Sequence, residues 1–155
     1  MDKYEFNIKV EQIKKMVSRG DYGTAMKIAD TIDWHRVRNA SLLSMIAQIY
    51  EKNEEYQEAK DILLLAFERA PVGKRLLYKL ADLALKDGST AEAEAYYREF
   101  CDLAQDDPRQ YLLRYKILKA KKAPVDQLIR ALERAESKDT VEEIREELAK
   151  IKQDL

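Results

Sequence analysis

Apolar residues recur along this chain at helical spacing, in paired runs separated by short polar turns. The clearest pair lies between Ala40 and Pro71. Leu43, Ile46, Ala47 and Tyr50 fall at i, i+3, i+4 and i+7, one face of a helix. The polar stretch KNEE, residues 52–55, interrupts the pattern, and Tyr56, Ala59, Leu63, Ala66 and Ala70 then form a second face. Small side chains at Ala47 and Ala59 let two antiparallel helices approach closely. Pro71 ends the second run, because its ring removes an N–H and clashes with the preceding turn. The spacing predicts a helical hairpin.

The hairpin recurs. Ala25, Ala59 and Ala93 follow one another at a constant step (59−25 and 93−59), and Gly20, Glu54 and Gly88 keep the same step. Tyr22 pairs with Tyr56, and Ile46–Ala47 with Leu80–Ala81, at that interval. A helix-turn-helix repeated at this period resembles the tetratricopeptide repeat (TPR). In that family's pattern the first helix carries a large apolar residue, a Leu–Gly/Ala pair and a Tyr. Leu43, Ile46–Ala47 and Tyr50 match it, with Leu43 standing where the family has Trp. The second helix carries an aromatic, an Ala, a large apolar residue, an Ala and a closing Pro, matched by Tyr56, Ala59, Leu63, Ala66 and Pro71. The resemblance, to a bacterial-type TPR protein, implies an all-α fold: a superhelical solenoid of antiparallel helix pairs with a C-terminal capping helix. We place the whole chain, 1–155, in a single domain with repeats at 6–39, 40–73 and 74–107, a degenerate hairpin at 109–136 and the cap at 139–155.

In the first repeat the pattern predicts a helix over Tyr4–Arg19, stopped at Gly20, and a second over Tyr22–Ile32 begun by Asp21. Asp33 is expected to cap a longer helix starting at Trp34, with Trp34 packed at the repeat junction and His35 on the surface. In the third repeat Leu77, Leu80, Ala81 and Ala84 line the first helix and Ala93, Tyr97 and Phe100 the second. The interval from Ala93 to Pro108 exceeds that from Ala59 to Pro71 (108−93 against 71−59), so this second helix is expected to be about one turn longer. The fourth hairpin, Arg109–Lys122 and Pro124–Glu136, has Arg114 and Lys121 where the family's pattern asks for apolar residues. At the end Val141, Ile144, Leu148 and Ile151 make one narrow stripe, the pattern of a helix with a single neighbour.

Composition narrows the function classes. Lys and Arg number 28 and Asp and Glu 29, a balance unlike the basic excess of a dedicated nucleic-acid binder. The opening stretch lacks the apolar core of a secretory signal, and no apolar run is long enough to span a bilayer. A single cysteine, Cys101, excludes an internal disulfide and suits a reducing compartment, so a cytoplasmic setting is expected. Tyr97, Phe100 and Leu103 surround Cys101 at helical spacing, which predicts an inert buried thiol. One His, His35, with no second His or Cys at ligand spacing makes no zinc site. The four glycines stand singly, so no phosphate-cradling loop is present. We expect no catalytic activity, no cofactor and no metal.

In TPR proteins the first helices line a concave groove that binds extended or helical peptide segments. Counting repeats from Phe6, Ala40, Lys74 and Tyr111, the resemblance assigns the groove to the second, fifth, sixth and ninth positions. The first repeat supplies Asn7, Val10, Glu11 and Lys14, and the second Ser41, Ser44, Met45 and Gln48. The third supplies Arg75, Tyr78, Lys79 and Asp82, and the fourth Leu112, Tyr115, Lys116 and Lys119. One TPR subclass grips a C-terminal carboxylate with a Lys/Asn/Asn/Lys/Arg clamp. Arg75 and Lys79 match two of its positions in type, but Val10, Lys14 and Met45 do not, so that clamp is not expected. The run 109–122 holds six basic residues and no acid, a patch that nucleic acid or anionic lipid could use. Its interleaved apolar residues have core spacing, so it reads first as solvated or partly groove-facing and next as an anchor for an acidic peptide. The expectation is a monomeric adaptor binding a peptide or partner helix with acidic and aromatic groups, without nucleic-acid binding or membrane insertion. The alternative is a structural scaffold that self-associates through repeat ends or the last helix.

Overall fold

Short polar side chains start the first helices. Asp2 Oδ1 accepts from the Glu5 N–H at 2.8 Å, Asp21 Oδ1 from Thr24 at 3.1 Å and Asn39 Oδ1 from Leu42 at 3.1 Å. Each satisfies one of the donors that a helix N-terminus leaves unpaired. The helices so begun are α1 (Lys3–Ser18), α2 (Tyr22–Ala29) and α3 (Ala40–Lys52), followed by α4 (Tyr56–Arg69). α5 (Lys74–Lys86), α6 (Thr90–Leu103), α7 (Arg109–Ala120) and α8 (Val125–Lys138) complete the order, and no strand occurs among the described residues. This computed structural model describes residues 1–70 and 74–138, with 146, 149 and 150 besides. The expected capping helix over 139–155, with its Val141–Ile151 stripe, lies outside the described residues.

Contacts divide the chain into two compact units, Met1–Gly73 and Lys74–Leu155. In the first, α1 pairs with α2 and α3 with α4. Leu43, Ile46, Ala47, Ile49 and Tyr50 of α3 are buried, as are Ala59, Ile62, Leu63 and Ala66 of α4. In the second unit α5 pairs with α6 and α7 with α8. Leu77, Leu80, Ala81, Leu83 and Ala84 of α5 repeat the buried pattern of α3 one repeat period later. Burial of these side chains, at about 25 cal/mol per Å² of apolar surface, drives each helix pair to close.

The period is kept most strictly at the turns. Gly20, Glu54, Gly88 and Lys122 all have positive φ (74°, 61°, 79° and 59°), and each follows the last by the same step. Around each, two hydrogen bonds recur: Asp21, Glu55, Ser89 and Ala123 donate to the carbonyls of Met16, Tyr50, Ala84 and Leu118 at 2.8–3.0 Å. The residue before each donor bonds back three positions, as Gly20 does to Val17 at 2.9 Å. This is the Schellman closure of a helix, which needs one left-handed residue. Glycine meets that need at two turns, while Glu54 and Lys122 adopt it against the steric cost of a Cβ.

Three expectations require correction. First, no long helix starts at Trp34, and α2 stops at Ala29 rather than Ile32. Asp33 starts only a 3₁₀ turn, Trp34–Arg36, after which Val37 is extended (ψ 134°) and Asn39 begins α3 afresh. Trp34 is buried and its Nε1 donates to the Ala29 carbonyl at 3.0 Å, joining the Ile32 N–H, which donates to the same oxygen at 3.1 Å at the C-terminus of the shortened α2. Phe6 meets the Trp34 ring edge-on at 6.3 Å, and His35 is exposed. Second, α6 is no longer than α4, since both have 14 residues. Pro108 does not close α6 but precedes α7, where a missing N–H costs nothing. Third, Cys101 is half-buried rather than enclosed, and Leu103 is 58% exposed. Phe100 takes the core-facing position of α6, and a helix turns its next residue about 100° away from that face.

Candidate functional site

Two surfaces, one in each unit, hold part of the set that the repeat frame singles out. In the first, α1 presents Asn7, Val10, Glu11 and Lys14 to an open depression of about 1190 Å³. The connector from Thr31 to Asn39 and Leu42 of α3 form its other side. Val10 is buried at its floor, whereas Asn7, Glu11 and Lys14 are exposed. Lys14 Nζ lies 3.7 Å from Glu11 Oε1, and Arg36 Nε lies 3.6 Å from Asp33 Oδ2, so acids and bases on this rim pair locally. The loop is well held. Lys9 Nζ donates to Thr31 Oγ1 at 2.9 Å, Tyr50 Oη donates to Asp30 Oδ1 at 2.6 Å, and Arg69 Nη2 donates to the His35 carbonyl at 3.3 Å. Ser41 and Gln48 on α3 are exposed, while Ser44 and Met45 are half-buried.

The second surface gathers charge around an aromatic ring. On α5, Arg75, Tyr78, Lys79 and Asp82 recur at i, i+3, i+4 and i+7, so they share one face. Arg75 is exposed and the other three are half-buried. Lys116 of α7 donates to the Tyr78 hydroxyl at 3.2 Å and to Asp82 Oδ1 at 3.4 Å, with its ammonium 5.4 Å from the Tyr78 ring centre. Arg109, at the start of α7, lies 5.6 Å from that ring and 5.7 Å from the ring of Phe100. Asp107 fixes it there, accepting from Nη2 at 2.6 Å and from Nε at 3.0 and 3.2 Å. That carboxylate raises the Arg109 pKa further, so the guanidinium is permanently charged. Lys86 supplies a second ammonium to Asp82, at 3.4 Å.

The fourth repeat departs from the expected frame. Leu112 and Tyr115 do not face solvent: they are buried with Leu132 and Ala135 between α7 and α8. Tyr115 is 1% exposed, so its ring is core rather than a groove aromatic. Lys119 remains on the surface, its ammonium 5.9 Å from the Tyr115 ring. The reason is the frame itself. The left-handed residue Lys122 follows Gly88 by one unchanged repeat period, so the register does not slip before α7, and that helix should be counted from the turn backwards. On that count Arg109 and Lys116 stand one period after Arg75 and Asp82, the second and ninth positions of the repeat. A count from Tyr111, three residues late, passes over Arg109 for that reason, although its basic run is visible. The signal that finds it is the repeat step from Arg75.

Neither surface holds a nucleophile beside a base, and no group of three His, Cys, Asp or Glu is placed to hold a metal ion among the described residues. The arrangement suits binding: an aromatic face, flanking cations and carboxylates that keep those cations in place.

The family model for the tetratricopeptide repeat matches residues 40–72 and 74–107. The chain carries tetratricopeptide repeats. The TPR fold extends beyond the two matched segments. MamA, residues 41 to the end, from Desulfovibrio magneticus RS-1 superposes with a TM-score of 0.69 over 94% of this chain and 82% of its own, at 16% identity. The first TPR of Spaghetti (RPAP3), solved bound to the HSP90 peptide SRMEEVD, gives 0.59 over 74% of this chain and 90% of its own, at 23% identity. YrrB, described as a TPR protein with an unusual peptide-binding site, gives 0.60 over 84% and 67%, at 18% identity. At these identities the likeness is one of fold. No curated protein matches the sequence. No helix among the described residues is long and apolar enough to cross a membrane.

Proposed function

We propose that this TPR protein is a non-enzymatic interaction module that binds a peptide or partner helix carrying acidic groups beside an apolar or aromatic anchor. The observation that carries this reading is the cluster on α5 and α7, where Tyr78 meets Arg109 and Lys116, with Arg75 and Lys79 at neighbouring positions of the same α5 face. Aromatic and arginine side chains dominate binding energy where they become enclosed, and a partner carboxylate would gain charge-assisted hydrogen bonds from them. Asp82 and Asp107 hold the two α7 cations in position and set a limit on how much negative charge the surface accepts. In the first unit Asn7, Glu11 and Lys14, with Ser41, Ser44, Met45 and Gln48, offer a more neutral contact surface of their own. Tyr115 is left out of the contact set. That one fold neighbour holds the acidic peptide SRMEEVD is in keeping with the reading. A cytoplasmic setting belongs to the same proposal and rests on the single cysteine, Cys101.

The test is a peptide array probed with the wild-type chain and with an Arg75→Glu/Lys79→Glu variant. Charge reversal should abolish binding to acidic peptides while helix content stays unchanged. Identical profiles from both proteins would overturn the proposal. A scaffold role draws on a different observation: Tyr4 and Ile8, one turn apart on α1, are 76% and 41% exposed, with Met1 beside them in sequence at 61%. Light scattering at micromolar concentration separates the two, because the interaction module should run as a monomer and the scaffold should not.

A further inference from the structure

The fourth hairpin has lost a core seam and gained a recess in its place. In the second hairpin Ile46, Tyr50, Ala59, Leu63 and Ala66 close the seam between paired helices, all buried. In the third the same positions are Leu80, Ala84, Ala93, Tyr97 and Phe100. One repeat period further on they read Arg114, Leu118, Gln127, Ala131 and Arg134. The α7–α8 pair closes instead through Leu112, Tyr115, Leu132 and Ala135. The old seam is left as a recess of about 410 Å³ lined by Arg114, Leu118, Gln127, Arg130, Ala131 and Arg134. A second recess of about 280 Å³ adjoins it, sharing Arg114 and Leu118 and adding Arg98 and Lys121.

Among the described residues the larger recess is lined by three arginines and no acid, in a chain whose formal net charge is −1. Its guanidinium groups are held in place. Arg134 lies 5.4 Å from the ring of Tyr111, Arg130 pairs with Asp126 at 2.7 Å, and Arg114 is hydrogen-bonded to Tyr97. Lys121 pairs with Glu94 at the far end. Leu118 and Ala131 give the recess an apolar lining, to which the arginine stems add. None of these residues occupies the groove positions of the repeat.

We propose that this recess is a second binding site, for an acidic peptide segment of a partner protein that places one apolar side chain between two carboxylates. Planar guanidinium groups bind carboxylates in paired hydrogen bonds, and the apolar lining takes the side chain between them. The spacing of positive charge disfavours other polyanions. The Asp126–Arg130 and Glu94–Lys121 pairs divide the positive charge into separate points, which suits two spaced carboxylates better than a continuous phosphate backbone.

The experiment measures fluorescence anisotropy of a labelled peptide of repeating Glu-Glu-Leu against the full chain. Parallel arms use the Gln-Gln-Leu analogue, single-stranded oligothymidine and phosphatidylserine vesicles. The variant Arg130→Glu/Arg134→Glu should weaken the acidic peptide by roughly tenfold or more. Both residues are exposed, so its melting temperature should hold; should it fall, Arg130→Gln/Arg134→Gln carries the same expectation without the added repulsion. Arg75→Glu/Lys79→Glu should leave this binding in place, which keeps the site distinct from the surface on α5. Equal binding of the Gln-Gln-Leu peptide would overturn the proposal, as would a loss seen only with the α5 variant. Tighter binding of oligothymidine or vesicles, abolished by the Arg130/Arg134 change, would overturn the choice of a peptide as the ligand.

Discussion

The α5–α6 and α7–α8 hairpins share a period and a turn but not a core. Both close their first helix with the same hydrogen bonds around a left-handed residue, Gly88 in one and Lys122 in the other. Position for position, however, Phe100 is fully buried and Arg134 is exposed, and Ala93 is buried while Gln127 is exposed. The α8 core, Leu132 and Ala135, lies one position beyond the repeat equivalents of Tyr97 and Phe100. A slip of one position turns a helix by about 100°, enough to exchange its core face for a flank. The period of a repeat can therefore survive in its turns after it has been lost in its packing.

The comparison breaks most decisively at the slipped core. Leu132→Ala should cost about 2–5 kcal/mol, because it removes a fully buried side chain and leaves a cavity. Arg134→Ala, at the position where the third hairpin has Phe100, should change stability by no more than about 0.5 kcal/mol. Chemical denaturation of the two variants measures both, and a large loss at Arg134 would restore the unslipped frame. Next in size is Ala59→Leu, which forces extra volume into a closed contact between α3 and α4 and should cost roughly 1–3 kcal/mol. Gln127→Leu, two repeat periods later, should leave the stability within about 0.5 kcal/mol of wild type.

These differences mark what can be read from sequence. Spacing alone assigns Leu43, Ile46, Ala47, Tyr50, Ala59, Leu63 and Ala66 to the core, and each is buried. They are legible because a small or apolar residue stands at every step of an undisturbed period. Spacing also places Trp34 at a junction, but not the 3₁₀ turn around it. The indole N–H bonds the Ala29 carbonyl, a local bond between residues that periodicity does not connect. The fourth repeat misleads through Pro108. A proline can stop a helix or start one, and sequence alone does not say which. Taking it as the close of the third repeat starts the fourth at Tyr111, which displaces Tyr115 from the core to the groove and hides Arg109. The candidate surface is thus half legible: Tyr78, Asp82 and Lys116 follow from the pattern and are in contact, whereas the Asp107–Arg109 pair depends on how one connector folds.

Turn chemistry sharpens the comparison at smaller energies. Gly88 has φ of 79°, and a Cβ built there would meet nothing within 4 Å. The cost of Gly88→Ala is then that of the left-handed backbone alone, roughly 1–2 kcal/mol. Lys122→Gly should do the reverse and stabilise the fourth turn, by an amount reduced by glycine's greater entropy when unfolded. Thermal melts of the pair check the sign of each. If Lys122→Gly destabilised the protein, the left-handed turn would not be the feature that keeps the period.

The smallest effect concerns a hydroxyl at a position where the later repeats have none. Tyr50 stands where they carry Ala84 and Leu118, and its Oη donates to Asp30 Oδ1 at 2.6 Å. Burial first, and then that bond to a carboxylate, push its pKa well above the ordinary value of 10.0. The folded protein therefore keeps the phenol protonated at a pH where the unfolded chain has already lost the proton. Because the unfolded state binds fewer protons there, stability falls as pH rises. The contribution is whole below pH 10, begins to fade at that point, and is lost as pH passes through the raised value of the folded state. Tyr50→Phe removes the bond, at a cost of about 1 kcal/mol near neutral pH given that Asp30 is exposed, and removes the titration with it. Denaturation at neutral pH and at pH 10 and above, followed for wild type and Tyr50→Phe, should show the two curves converging as the wild type loses its advantage. Parallel curves would mean that the Asp30 bond contributes nothing to the first unit, and that the second repeat is set apart from the others by shape alone.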